Sequence, residues 1–263
     1  MAQRLMSLMK SFFRLERRSC FRLECLPEEI LLNIVNHLPI QDLLHFSHVS
    51  KRIRRICQDK TLWKLVDLSY KKVKPEFIKA VLENDCENLN LRHAKIEGFI
   101  KLSKTSKLMC LNLHVRYNWE ISKAFFDEIL LSCCSLQKLV LGEPGHLLDT
   151  TLLQRIFSKN GQTLETLRFG CSYFGWSHNQ FGNMRSMTLV KLIVNHCTKL
   201  QELNLECWDL PHDALTQLVR GLSPEMKKVS LAGNYELTDE HIETLVRRCK
   251  QIIALDTLQK CIN

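Results

Sequence analysis

The chain has 263 residues, 45% of them hydrophobic, and a formal net charge of +9, enough apolar material for a sizeable core in one or two domains. No run of 18 apolar residues occurs, which argues against a membrane-spanning helix, and the positive charge is spread thinly. Twelve cysteines would suit a secreted disulfide scaffold, but Arg4, Lys10 and Arg14 interrupt any apolar core that a signal peptide would need. Reduced cysteines, in the cytoplasm or the nucleus, are therefore expected.

Residues 1–25 place Leu5, Leu8, Phe12 and Leu15 on one helical stripe, with Lys10, Arg14, Arg17 and Arg18 elsewhere around the turn. That pattern predicts a basic amphipathic helix. It suits a membrane-surface segment, a nuclear import signal, a mitochondrial presequence, or a tail whose apolar side leans on the segment that follows.

In the next segment Pro27 suits the first turn of a helix, where its missing N–H would be unpaired anyway, and Pro39 stops that helix. Between them Leu26, Ile30, Ile34 and Leu38 recur every fourth residue, with Leu31 and Val35 widening the stripe. A second helix capped by Asp42 and a third from Val49 through Ile53 and Ile56 toward Leu62-Trp63 are predicted. Three short helices over about forty residues lie at the lower limit of independent stability, so the spare apolar face must dock on something.

The order Leu26-Pro27, Glu29-Ile30-Leu31, Ile34, Leu38-Pro39, Asp42-Leu43-Leu44, Ser47 and Val49, closing on Leu62-Trp63, resembles the F-box. Ser50 and Ile53 depart from the Cys and Trp usual in that family. The resemblance implies that residues 26–68 bind a Skp-type adaptor and, through it, the cullin and RING subunit of a ubiquitin ligase. Leu26, Pro27, Ile30, Leu31, Ile34, Val35, Leu38, Asp42 and Leu43 are the docking residues it implies. It also argues against mitochondrial import of residues 1–25.

From residue 69 onward a repeat fills the chain. The pattern L-x-x-L-x-L returns at Cys86-Leu89-Leu91, Leu108-Leu111-Leu113, Leu136-Leu139-Leu141, Leu164-Leu167-Phe169, Leu200-Leu203-Leu205 and Met226-Val229-Leu231, and closes on Ile252-Leu255. Its spacing falls at or near the leucine-rich period, apart from one insertion between Leu167 and Leu203.

Between these strands run helical stripes: Phe126, Ile129, Leu130 and Cys133; Val190, Ile193, Val194 and Cys197; Leu215, Leu218, Val219 and Leu222; Ile242, Leu245, Val246 and Cys249. One buried stripe per strand predicts an α/β solenoid of about seven leucine-rich repeats, the last truncated, with parallel strands on the concave face and helices on the convex face. Cys133, Cys197 and Cys249 share one inward slot, which assigns them to the core. Leu237-Thr238-Asp239 with Cys249 resembles the cysteine-containing subclass of leucine-rich repeats found in many F-box proteins. Asn234 alone fills the usual Asn/Cys position after a strand, where Trp208, Ser172, Pro144, Arg116 and Ala94 stand instead, so irregular turns are expected.

Side chains alternate along a strand, which sends Asn88, Asn90, Cys110, Asn112, His114, Val140, Gly142, Thr166, Gly170, Asn204, Glu206, Ser230, Ala232 and Asp256 to the concave face with the charged residues Arg92, Lys138, Arg168, Glu202 and Lys228. That mixture fits a protein target, acidic or phosphorylated, and the acids argue against nucleic acid. Tyr173, Phe174, Trp176 and Phe181, in the insertion, supply anchor candidates; Trp176 is the foremost. They suit a local plug equally well. Neither a P-loop, a G-x-G-x-x-G, an H-E-x-x-H nor a Cys-x-x-Cys occurs, so no catalytic residue, cofactor or metal is expected. The resemblance therefore implies a non-catalytic substrate-recognition subunit of an SCF-type ubiquitin ligase, serving protein degradation. The rival is a leucine-rich-repeat scaffold without a ligase role.

Overall fold

In the computed structural model, which describes residues 23–115, 120–142, 147–169 and 183–258, prolines set the first two helix starts. Pro27 precedes α1 (Glu28–Val35) and Pro39 precedes α2 (Ile40–Phe46), each with φ fixed near the helical value. The expected cap, Asp42, therefore stands inside the first turn of α2, where a carboxylate suits the positive helix end. Ser50 caps α3 (Lys51–Cys57), its Oγ accepting the Ile53 N–H at 3.2 Å. α3 stops at Cys57, and a 3-10 turn, Lys60–Trp63, replaces the expected continuation.

Both α1 and α2 pack on α3. Leu31, Val35, Leu43, Ile53 and Ile56 form the core, each no more than 4% exposed. Arg52 donates to the Leu26 carbonyl at 2.7 Å, tying α3 to the chain ahead of α1. The basic helix expected within residues 1–25 lies outside the described residues, apart from a 3-10 turn at Leu23–Cys25.

The chain divides into two compact units, Met1–Leu62 and Trp63–Asn263. The second holds an all-parallel sheet in sequence order: β1 (Leu65–Asp67), β2 (Asn88–Asn90), β3 (Cys110–Leu113), β4 (Lys138–Leu141), β5 (Thr166–Phe169), β6 (Glu202–Leu205), β7 (Lys228–Ser230) and β8 (Ala254–Asp256). Parallel neighbours need a crossover each time. Helices supply most of these: α4 (Pro75–Glu83), α5 (Lys123–Ser132), α6 (Thr150–Asn160), α7 (Asn183–His196), α8 (His212–Gly221) and α9 (Asp239–Arg248). The interval from β2 to β3, the shortest, holds no helix. There the chain runs through isolated bridges that pair Ile96 with Ile121 and Ser106 with Cys133.

Register explains the regularity. Val66, Leu89, Leu111, Leu139, Leu167, Leu203, Val229 and Leu255 are paired across all eight strands, and every one but Leu255 is at most 3% exposed. Truncating such a leucine to Ala costs about 2–5 kcal/mol. The sheet thus has eight strands, and starts four residues before the expected boundary at 68/69. Trp63, Val66 and Leu68 are the first repeat, a variant of the pattern whose leading tryptophan reads as the close of the helical segment.

Three further departures concern the edges of the repeats. Gly142 and Ala232, expected on the strand-lined face, are buried, and a Cβ at 142 would meet the Val115 backbone oxygen at 2.4 Å, which suits that position to glycine. Val246 on α9 is 47% exposed rather than inward, since no described helix packs beyond it. Trp208, at an irregular turn, is buried edge-on against Phe169 with ring centres 4.9 Å apart.

Candidate functional site

Two surfaces carry the residues singled out above. On the helical unit the expected docking residues separate by burial. Leu31, Val35 and Leu43 are 0%, 1% and 2% exposed and belong to internal packing, which corrects their assignment as contact residues. Ile30 and Ile34 are 47% and 37% exposed on the outer side of α1. Pro27 and Asp42 are exposed, and Leu26 and Leu38 half-buried. The stripe is therefore two faces of one helix: Leu31 and Val35 hold the three helices together, and Ile30 and Ile34 are offered outward.

On the open face of the sheet, one row runs through Leu65, Asn88, Cys110, Lys138, Thr166, Glu202, Lys228 and Ala254, and its neighbour through Asp67, Asn90, Asn112, Val140, Arg168, Asn204, Ser230 and Asp256. Much of the second row shapes the strands' own ends. The side-chain oxygens of Asp67, Asn90, Asn112, Asn204 and Asp256 each accept the N–H two residues on, at 2.8–3.2 Å. Residues that read as ligand-facing amides are in part turn formers.

The charges are less available than the sequence implies. Arg168 is bound to Glu202 of the next strand, its Nε donating at 2.7 Å. Glu206 accepts from Ser230 Oγ at 2.7 Å and from Asn204 Nδ2 at 2.9 Å. Lys228 stands in register with Glu202, and Arg168, Glu202, Glu206, Lys228 and Asp256 together line a shallow groove of about 580 Å³. The four basic residues are thus no continuous cationic stripe: Lys138 stands exposed on β4, and Arg92 lies past the end of β2. Trp176, with Tyr173, Phe174 and Phe181, lies outside the described residues.

Past the ends of β1–β3, Arg92 and His114, both expected on the open face, are joined by Tyr70 and His93, which the alternation does not single out. The rings of Tyr70 and His93 are 5.1 Å apart, His93 meets His114 edge-on at 5.0 Å, and the Arg92 guanidinium carbon lies 5.9 Å from the Tyr70 ring centre. Buried Glu120 approaches His93 Nδ1 at 3.9 Å. Only the repeat register, which aligns the residues that follow each strand, could have found this grouping.

Burial pushes the His114 imidazole down to about 4, with the nearby positive charge of His93 and Arg92 adding to it. The fold prefers the neutral ring. This contribution to stability is complete above the unfolded value of about 6.5 and is lost as pH falls toward 4. We expect the melting temperature to drop between pH 6.5 and 4.5, and to drop less in His114→Gln. Equal slopes in both proteins would contradict the assignment.

Cys133, Cys197 and Cys249 are 0%, 4% and 1% exposed, each directly after the last residue of its helix. Burial pushes the first two thiols up to about 11 and about 12, and raises the third. Cys25, Cys134 and Cys207 are exposed. Brief treatment of the native protein with iodoacetamide should therefore label these three, and leave Cys133, Cys197 and Cys249 unmodified until unfolding, because the thiolate is the reactive form. Mass spectrometry of tryptic peptides reads the order directly.

Residues 23–69, which hold the three helices, match the family described as F-box-like. F-box/LRR-repeat protein 12 of Homo sapiens is 20% identical over 235 residues, which cover 89% of this chain and 63% of that protein. The chain thus spans less than two thirds of that relative's length. Among solved structures, the leucine-rich repeat-containing protein LegL7 from Legionella pneumophila aligns over 72% of this chain and 63% of its own, at 15% identity and a TM-score of 0.42.

Proposed function

We propose that this chain, an F-box-like domain followed by leucine-rich repeats, is a substrate-recognition subunit of an SCF-type ubiquitin ligase. The helical unit docks on a Skp-type adaptor, which brings the cullin and RING subunit, and the open face of the repeats holds a target protein. Catalysis belongs to the other subunits. The contribution of this chain is proximity, which raises the target's effective concentration near a ubiquitin-charged enzyme.

The observation that carries the reading is the outward pair Ile30 and Ile34, 47% and 37% exposed, on a helix whose opposite side is fully used. Exposed large apolar residues grouped on one helix mark an interaction surface, and here they fall within the F-box-like match. The sheet supports the second half of the reading: its open face presents exposed Lys138, Arg168 and Lys228 beside a groove.

Affinity purification of the tagged full chain from cells tests the proposal. Adaptor, cullin and RING subunit should be recovered together, and proteins held by the repeats should accumulate when the proteasome is blocked. Recovery of protein partners without adaptor or cullin would replace this reading with that of a scaffold.

A further inference from the structure

Tyr70 and His93 hold backbone angles that most residues avoid. Their φ values are +60° and +53°, in the left-handed region that favours glycine. Both stand two residues beyond an inward leucine, Leu68 and Leu91, and at the same place after β7 the chain uses Gly233, with φ +72°. Burial would compensate a ring at such a position. Yet Tyr70 is 67% exposed, so its ring is not there to fill the core.

The turns that carry these rings are fixed to one another. The Tyr70 N–H donates to the Arg92 carbonyl at 2.8 Å and the His93 N–H to the His114 carbonyl at 2.9 Å, extending the ladder of the sheet past its strands. Tyr70 and Arg92 thus form a preorganised pair of an aromatic face and a guanidinium, the two side-chain types that most often dominate binding.

Charge separates this place from the rest of the open face. Arg168 is bound to Glu202, whereas no carboxylate pairs with Arg92 among the described residues. The neighbouring acids are engaged elsewhere: Asp67 accepts the Ser69 N–H at 2.8 Å, Glu97 pairs with Lys72 at 2.9 Å, and Glu120 lies buried against His93. Arg92 is left as the cation over the Tyr70 ring, its guanidinium carbon 5.9 Å from the ring centre, and its forked N–H groups suit a planar acceptor such as a carboxylate.

We infer that the rim formed by Tyr70, Arg92 and the turns past β1–β3 is an anchoring site for an acidic segment of a partner protein, a carboxylate side chain meeting Arg92 beside the Tyr70 ring. The inference rests on the reading of the repeats as the target-holding part of the chain, and it moves the contact from the middle of the sheet to one rim. Its test uses no adaptor, so failure of ligase assembly and failure of this site are told apart.

The probe is a hexaglutamate peptide, with hexaserine and hexalysine as controls, titrated into the purified full chain labelled for NMR at tyrosine and histidine. Hexaglutamate should shift the Tyr70 and His114 ring signals saturably. Arg92→Glu should weaken binding by about tenfold or more and Tyr70→Ala by about fivefold. Arg92→Lys, which keeps the charge without the planar fork, should fall between wild type and Arg92→Glu, and Lys250→Ala, at an exposed position past α9, should change nothing. The site is refuted if hexaglutamate leaves the Tyr70 and His114 signals unmoved, if hexaserine or hexalysine moves them equally, or if a folded Arg92→Glu protein binds like wild type.

Discussion

The double variant Ile30→Asp, Ile34→Asp should keep its fold and lose adaptor binding by more than about 100-fold. Placing a carboxylate against an apolar contact costs several kcal/mol, and each 1.4 kcal/mol is a factor of about ten. The free chain is spared because both residues face outward, at 47% and 37% exposed. Val35→Asp forms the counterpart. Val35 is 1% exposed between the helices, so the same charge there should unfold the helical unit, which is small and has little stability to lose. Circular dichroism melts beside a binding assay separate the two: binding lost with the melt unchanged for the double variant, and binding lost with a collapsed helical transition for Val35→Asp. A double variant that binds as wild type would remove Ile30 and Ile34 from the docking surface.

The second large effect concerns a side chain that fills the core without being apolar. Asn160 is fully buried, donates to the carbonyls of Cys133 and Ile156 at 3.2 and 3.0 Å, and accepts the Leu136 N–H at 2.9 Å. It stands where other repeats place Cys133, Cys197 and Cys249, and it stitches the end of α6 to the turn before β4. Asn160→Ala leaves buried backbone groups unsatisfied, each worth about 1–3 kcal/mol, so a loss of about 2–4 kcal/mol is expected in urea unfolding. Asn234 makes the same kind of bridge, to the carbonyls of Leu205 and Leu231 and from the Leu210 N–H, at 2.8–3.0 Å. Its replacement should cost as much, and a loss below about 1 kcal/mol at both positions would refute the bridging role.

Periodicity made the solenoid legible. Leucines at fixed intervals can be satisfied only by a stack of strands, and Leu89, Leu111, Leu139, Leu167, Leu203 and Val229 are in register as that logic requires. The first repeat escaped because Trp63 and Val66 replace leucines and because the helical segment claims the same tryptophan. α6 escaped because its slot residue is Asn160, which reads as polar until its three hydrogen bonds are seen. Pattern alone marks Leu31, Val35, Ile30 and Ile34 as one apolar stripe. Which side faces the other helices depends on the crossing of α1 with α3, and no single-helix argument contains that.

The open face was legible in its side-chain alternation and not in its electrostatics. Arg168 and Glu202 are 34 residues apart in sequence, and their pairing follows only from strand register. The Tyr70, Arg92, His93 and His114 grouping has the same origin, since residues past the ends of three separate strands meet only once the turns are aligned.

The measurement that bears most directly on the proposed role is isothermal titration of the purified full chain with a purified Skp-type adaptor. The account predicts saturable binding at one adaptor per chain, with a dissociation constant on the order of micromolar or tighter, as a specific protein interface gives, and abolished by Ile30→Asp, Ile34→Asp. No binding of the folded wild-type chain with adaptor at tens of micromolar, on the order of ten times that constant, would contradict it.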